Sequence, residues 1–169
     1  GTAAAFAEKD EFANAALAHI LGQSGRLRFN RAQHREGEEL LRKAVDAAKT
    51  AEGEDAPLTA VALSNLAQLL QATHRVDEAE PLMRDALAID RKAYGDDHPT
   101  VAIRLNNLAN LLKATNRMDE AEPLMRDALA IDRKAYGDDH PEVATVLNNL
   151  TLLLRDPNRM EEAEPPTPH

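Results

Sequence analysis

The sequence has no cysteine and no tryptophan, and its aromatic rings are limited to two tyrosines and three phenylalanines in 169 residues. Without cysteine there can be no disulfide, no thiolate nucleophile and no cysteine-ligated zinc. With so few rings, the core must be built from Leu, Ala, Ile, Val and Met, a composition that favours helix over strand. Long apolar runs are missing. Leu150-Thr151-Leu152-Leu153-Leu154 is among the longest, against about 20 apolar residues for a membrane-spanning helix. The N-terminus shows no basic leader followed by an apolar stretch, so no secretory signal is expected. Positive charge is also scarce: 20 Lys and Arg stand against 29 Asp and Glu, a formal charge of −9. That balance argues against nucleic acid or an anionic membrane as a general partner. The lack of cysteine suits a reducing compartment, and a cytoplasmic location is the expectation.

Catalytic equipment is thin as well. Serine occurs only at Ser24 and Ser64, and the seven glycines form no phosphate-cradling loop. His19, His34 and His74 keep no fixed spacing to a serine or an acid. A nucleophile, a base and an orienting group are therefore not legible as a set. No catalytic residue and no cofactor are expected. Asp96-Asp97-His98 and Asp138-Asp139-His140 carry metal-ligand residue types, but a metal needs more convergent ligands than one turn supplies. A turn-and-cap role explains the same residues, so no metal is expected. The basic-aromatic stretch from Arg26 to Arg31 reads as a solvated loop with Phe29 anchored.

What is present is repetition. Asp77 to Pro99 recurs letter for letter as Asp119 to Pro141, an offset of 42 residues, and a further phase begins at His140-Pro141. A period of this size marks units that bury apolar faces against their neighbours. Each unit holds two helical patterns. Leu105, Leu108, Ala109 and Leu112 share one helical face, with equivalents from Leu63 to Leu70 and from Leu147 to Leu154. Ala79, Leu82, Met83, Ala86 and Leu87 form the second pattern, repeated from Ala121 to Leu129. Nothing alternates as a strand would. Gly95 and Gly137 stand where a left-handed cap ends the second helix. Pro99 and Pro141 open the next first helix, with His98 or Asp97 placed to cap it. Asn116 lies in the short turn between the helices, as do His74 and Asn158, and Asn tolerates the left-handed backbone. Pro81 and Pro123 fall near the start of the second helix, where proline does least harm.

Asn107-Leu108-Ala109, Asn116-Arg117, Glu120-Ala121-Glu122-Pro123-Leu124, Ala128-Leu129 and Gly137-Asp138-Asp139-His140-Pro141 resemble the tetratricopeptide repeat, in its 42-residue kinesin-light-chain-like variety. The match runs from Ala56 to Glu164. The resemblance implies an all-α fold, a right-handed superhelical solenoid of antiparallel helix pairs, with Ala67, Ala79, Ala86 and their partners as close-packing positions. It divides the chain into a degenerate N-terminal repeat over 1–55, repeats over 56–97 and 98–139, and a truncated repeat over 140–169. In the degenerate repeat a helix is expected from about Ala3 to Leu21, followed by a looser stretch to about Gln33, because Gly22, Ser24 and Gly25 disfavour helix. Pro157 is expected to stop the helix that begins at Glu142.

The same resemblance implies that first helices line a concave groove. Asn65, Asn107 and Asn149 then face it, beside Asn106 and Asn148. Val61, Ile103 and Thr145 lie one turn before them; Gln68, Asn110 and Leu152 lie one turn after; Gln71, Lys113 and Arg155 come next. A primary amide both donates to and accepts from a peptide backbone, although the same Asn residues can instead bond across to the next repeat and set the stacking. Relatives that clamp acidic chaperone tails place a Lys one turn before the Asn, where this chain has Val61, Ile103 or Thr145, so that clamp is not expected. Val76 to Asp97 holds seven acids and three bases, as does Met118 to Asp139, whereas the first-helix stretches Ala56–Arg75, His98–Arg117 and His140–Arg159 sum to +1, +3 and 0. The expected ligand is therefore a neutral or acidic protein segment or extended peptide, with Lys113 and Arg155 as contacts. The alternatives are a structural oligomerisation segment that self-associates through the C-terminal helix, burying Leu147, Leu150 and Leu154, and the sensor arm of a larger bacterial signalling protein.

Overall fold

The structure, a computed structural model, describes residues 34–155 together with Ala15, Gly22 and Gln23. Six helices follow one another: α1 His34–Glu52, α2 Pro57–Ala72, α3 Val76–Tyr94, α4 Pro99–Ala114, α5 Met118–Tyr136 and α6 Pro141–Leu154. No strand occurs among the described residues. None of their helices is long and apolar enough to cross a membrane. The chain divides into two compact units, Gly1–Gly95 with α1 to α3 and Asp96–His169 with α4 to α6.

In the first unit α2 and α3 form an antiparallel hairpin. Its turn is a Schellman motif. Arg75 N–H donates to Leu70 O at 2.8 Å and His74 N–H to Gln71 O at 3.0 Å, with His74 held left-handed at φ 62°. The second unit repeats this between α4 and α5. Arg117 N–H reaches Leu112 O at 2.9 Å, Asn116 N–H reaches Lys113 O at 3.0 Å, and Asn116 has φ 61°. The expected left-handed turn is therefore present at both places; Asn158, its third instance, lies outside the described residues. Ala67, Ala79 and Ala86, and their counterparts Ala109, Ala121 and Ala128, are all 0% exposed. A methyl is the largest group these crossings admit, since overfilling such a contact costs about 1–3 kcal/mol.

Three details depart from the sequence reading. Gly95 and Gly137 have positive φ, but with ψ of 164° and 165° they are extended rather than left-handed helical. Each closes a single bond to the carbonyl four residues back, at 2.9 Å, in a backbone region that is essentially glycine's alone. Pro81 and Pro123 sit inside α3 and α5, in the second turn rather than the first, where each removes one helical hydrogen bond. Gly22 and Gln23 are helical, and Gly22 is buried, so the N-terminal helix does not end at Leu21. Burial there outweighs the weak propensity cost of glycine. The remainder of 16–33, including Arg26 to Arg31, lies outside the described residues, as do Pro157 and all that follows.

Candidate functional site

His98 and His140 open α4 and α6 with their own rings. Each Nδ1 accepts the backbone N–H two residues on, from Thr100 and from Glu142, at 3.2 Å. The cap settles the choice between His98 and Asp97. Pro99 and Pro141 follow at the first helical position, where no N–H is needed. In this way α4 and α6 are started in the same phase within the second unit, and that phase aligns their amides. Asn149 on α6 donates through Nδ2 to Asn106 Oδ1 on α4 at 3.1 Å.

Around this amide pair the predicted residues divide by exposure. Asn106, Asn107, Asn110, Lys113 and Asn149 are half-buried, while Asn148 and Arg155 are exposed. Ile103 on α4 and Leu152 on α6 are 50% and 51% exposed. That is high for large apolar side chains beside a polar bridge. Lys113 and Arg155 form no ion pair among the described residues, so their charges stay available. Thr145 turns its hydroxyl to the Pro141 carbonyl of its own helix at 3.0 Å. In the first unit, α2 carries Asn65 half-buried, with Gln68 and Val61 exposed. The structure thus brings Asn106 and Asn149 together, and leaves Asn65 and Gln68 with the other unit.

The back of the repeat is less uniformly charged than its composition implies. Asp77, Asp85, Asp119 and Asp127 are exposed, but Asp90 and Asp132 are 1% and 4% exposed. Burial pushes the Asp132 carboxyl above its usual range; the charge of Glu142 adds to this and His140 opposes it. The Tyr136 ring stacks on His140 with centroids 4.4 Å apart. Sequence reasoning missed this cluster. Its signal was the spacing of Asp132, Tyr136 and His140, four residues apart at each step. Asp138 Oδ1 meets Arg133 Nε at 2.8 Å, so the Asp138-Asp139-His140 run is engaged in turn and cap contacts.

The first unit has a polar cluster of its own. Arg75 is bidentate to Glu78, both contacts 2.7 Å, and also reaches Glu38 at 2.7 Å. Arg42 meets Glu38 at 2.8 Å. Burial works against Glu38 ionising, but the Arg42 and Arg75 guanidiniums together hold its carboxyl below the usual range. The same unit has an open recess of about 340 Å³ between its helices, floored by Leu63, Leu82 and Ile89. Its rim lysines are already paired, Lys49 with Glu54 and Lys92 with Asp55.

Comparison with known proteins follows the same lines. A family model described as Tetratricopeptide repeat matches residues 16–92, 62–134 and 105–165. A search of curated proteins gave no match of significance. Among solved structures, the chain is similar to the nearly identical TPR-like repeats of a Podosopora anserina kinesin light chain, at 24% identity and a TM-score of 0.78, covering 89% of this chain and 71% of that one. It is similar to BtubC (BKLC) from P. vanneervenii at 28% identity and a TM-score of 0.77, covering 95% of this chain and 65% of that one. It is also similar, at 17% identity and a TM-score of 0.59, to the first TPR of Spaghetti (RPAP3) bound to the HSP90 peptide SRMEEVD, covering 84% of this chain and 96% of that one.

Proposed function

Because the chain belongs to the tetratricopeptide repeat family, whose repeats generally serve as scaffolds for protein–protein interaction, we propose that it binds an extended, neutral or acidic protein segment along its first helices. One observation carries this reading: a bridged amide pair, Asn106 and Asn149, flanked by exposed Ile103 and Leu152. After bridging, the two amides still hold donors and lone pairs for a peptide backbone. The neighbouring apolar side chains offer contact area that water alone covers poorly. Lys113 and Arg155 supply the charge preference, on a surface whose first-helix side is neutral to basic. The peptide-bound structure similar to this one uses the same fold to hold an extended segment. Here Ile103 takes the place of a clamping Lys, which favours mixed apolar and amide contacts over an acidic-tail clamp.

Panning a random peptide library against the chain tests the reading, with affinities measured by calorimetry. Micromolar binding is expected, about −8 kcal/mol. The Lys113→Glu, Arg155→Glu double variant should lose at least tenfold for acidic peptides. Unchanged affinity for every recovered peptide would remove the groove from consideration.

A second reading has its own support. Leu152 and Leu154 on α6 are 51% and 40% exposed, which favours self-association through that helix. The expected patch changes, since Leu150 is only 6% exposed and is already covered within its unit. Light scattering separates the readings: a concentration-independent dimer favours assembly, and a monomer leaves the surface to a ligand.

A further inference from the structure

Asn149 and Asn106 are separated by 43 residues. Counting 43 back from Asn65 arrives at Gly22, which is helical and buried. A Cβ built on Gly22 would lie 3.8 Å from Asn65 Nδ2. Gly22 and Asn65 therefore face each other in the first unit in the register in which Asn106 and Asn149 meet in the second. The difference is chemical. Asn106 brings a carbonyl oxygen that takes a proton of the Asn149 amide at 3.1 Å, whereas Gly22 brings nothing. Among the described residues the Asn65 side chain has no hydrogen-bond partner, although it is half-buried.

We infer that Gly22 is a specificity-determining residue: by supplying no side-chain acceptor it keeps the Asn65 amide open, and Asn65 reads the backbone of the bound segment with both its donor and its acceptor. This rests on the peptide-binding reading above. An extended segment presents N–H and C=O groups side by side, and a free primary amide satisfies one of each. Asn149 has already spent one donor on Asn106, so it offers a weaker version of the same contact. The two amides look equivalent in the repeat and differ in what they can hold. Substitution at position 22 is sterically open. The nearest atom to an added Cβ is at ordinary contact distance, and the backbone there is helical, a conformation every residue but proline adopts readily.

The test uses the tightest dodecapeptide recovered from the random library, titrated into the full chain and its variants. Gly22→Asn, which recreates the Asn106–Asn149 pair, should weaken binding about tenfold, the worth of one hydrogen bond. Gly22→Ala adds the carbon without the acceptor and should stay within twofold. Asn65→Ala should lose as much as Gly22→Asn, and the two together no more than either alone. Gly22→Ser, carrying the residue found in the same phase at Ser64, serves if Gly22→Asn alters the circular dichroism, and should weaken binding in the same sense. Equal losses for Gly22→Ala and Gly22→Asn would make the effect steric and overturn the inference. A Gly22→Asn chain that binds like the wild type, while Lys113→Glu with Arg155→Glu still fails, overturns it and leaves the groove standing. If the library yields no binder, both readings fall together.

Discussion

Leu70, Leu112 and Leu154 occupy one phase of the 42-residue unit, and the structure gives them 1%, 0% and 40% exposure. Truncating each to alanine is an internally controlled experiment, because residue type, helix position and flanking chemistry are nearly the same. At Leu70 and Leu112 the removed atoms leave a closed cavity between paired helices, α2 against α3 and α4 against α5. A cost of about 2–5 kcal/mol follows for each. At Leu154 part of the side chain already meets water and no cavity closes over the gap. Full burial of a leucine is worth about 1.5–3 kcal/mol, so a partly covered one should cost about 1 kcal/mol. The assay is urea denaturation followed by far-UV circular dichroism, with all variants fitted together to a nearest-neighbour scheme, since stacked repeats need not unfold as one. A Leu154→Ala cost equal to that of Leu112→Ala would refute the argument, for it would show that face covered in solution. A Leu112→Ala cost below about 1 kcal/mol would refute it from the other side.

Further expectations follow from particular residues. Gly137→Ala, at φ 85° and ψ 165°, should destabilise by about 1–3 kcal/mol, and an unchanged melting temperature would refute that. Asp132 has its carboxyl pushed up by burial, so its ionised form weakens the fold: stability is gained below the unfolded carboxyl range and lost as pH rises through the raised value. Asp132→Asn should therefore raise the melting temperature at neutral pH, with the gap closing as pH falls; a variant no more stable than wild type at neutral pH counts against it. Glu38 has the opposite sign. Its carboxyl is held down by Arg42 and Arg75, so it stabilises above the ordinary carboxyl range and loses that contribution as pH falls through the lowered value. Glu38→Gln should accordingly flatten the acid limb of a stability–pH curve, and an unaltered limb would contradict the ion-pair account.

Most of the architecture was legible in the amino-acid order alone. Leucine spacing set the helices, Asn116 marked a left-handed turn, and His98-Pro99 marked a capped start, because each acts through its own backbone and a few neighbours. An exact offset of 42 residues then required like units to pack alike. The order also placed Asn65, Asn107 and Asn149 on corresponding positions, and there its authority ended. Only tertiary packing decided that Asn149 is tied to Asn106 while Asn65 faces a bare Gly22, that Gly22 is helical despite its propensity, and that Asp132 is buried among groups which raise its carboxyl. Leu154 likewise differs from Leu112 solely in what lies over it. The division has one physical cause: periodicity and capping are local and survive in any context, whereas the availability of a side chain depends on the neighbour brought to it from some 40 residues away, and a repeat can change that neighbour without changing itself.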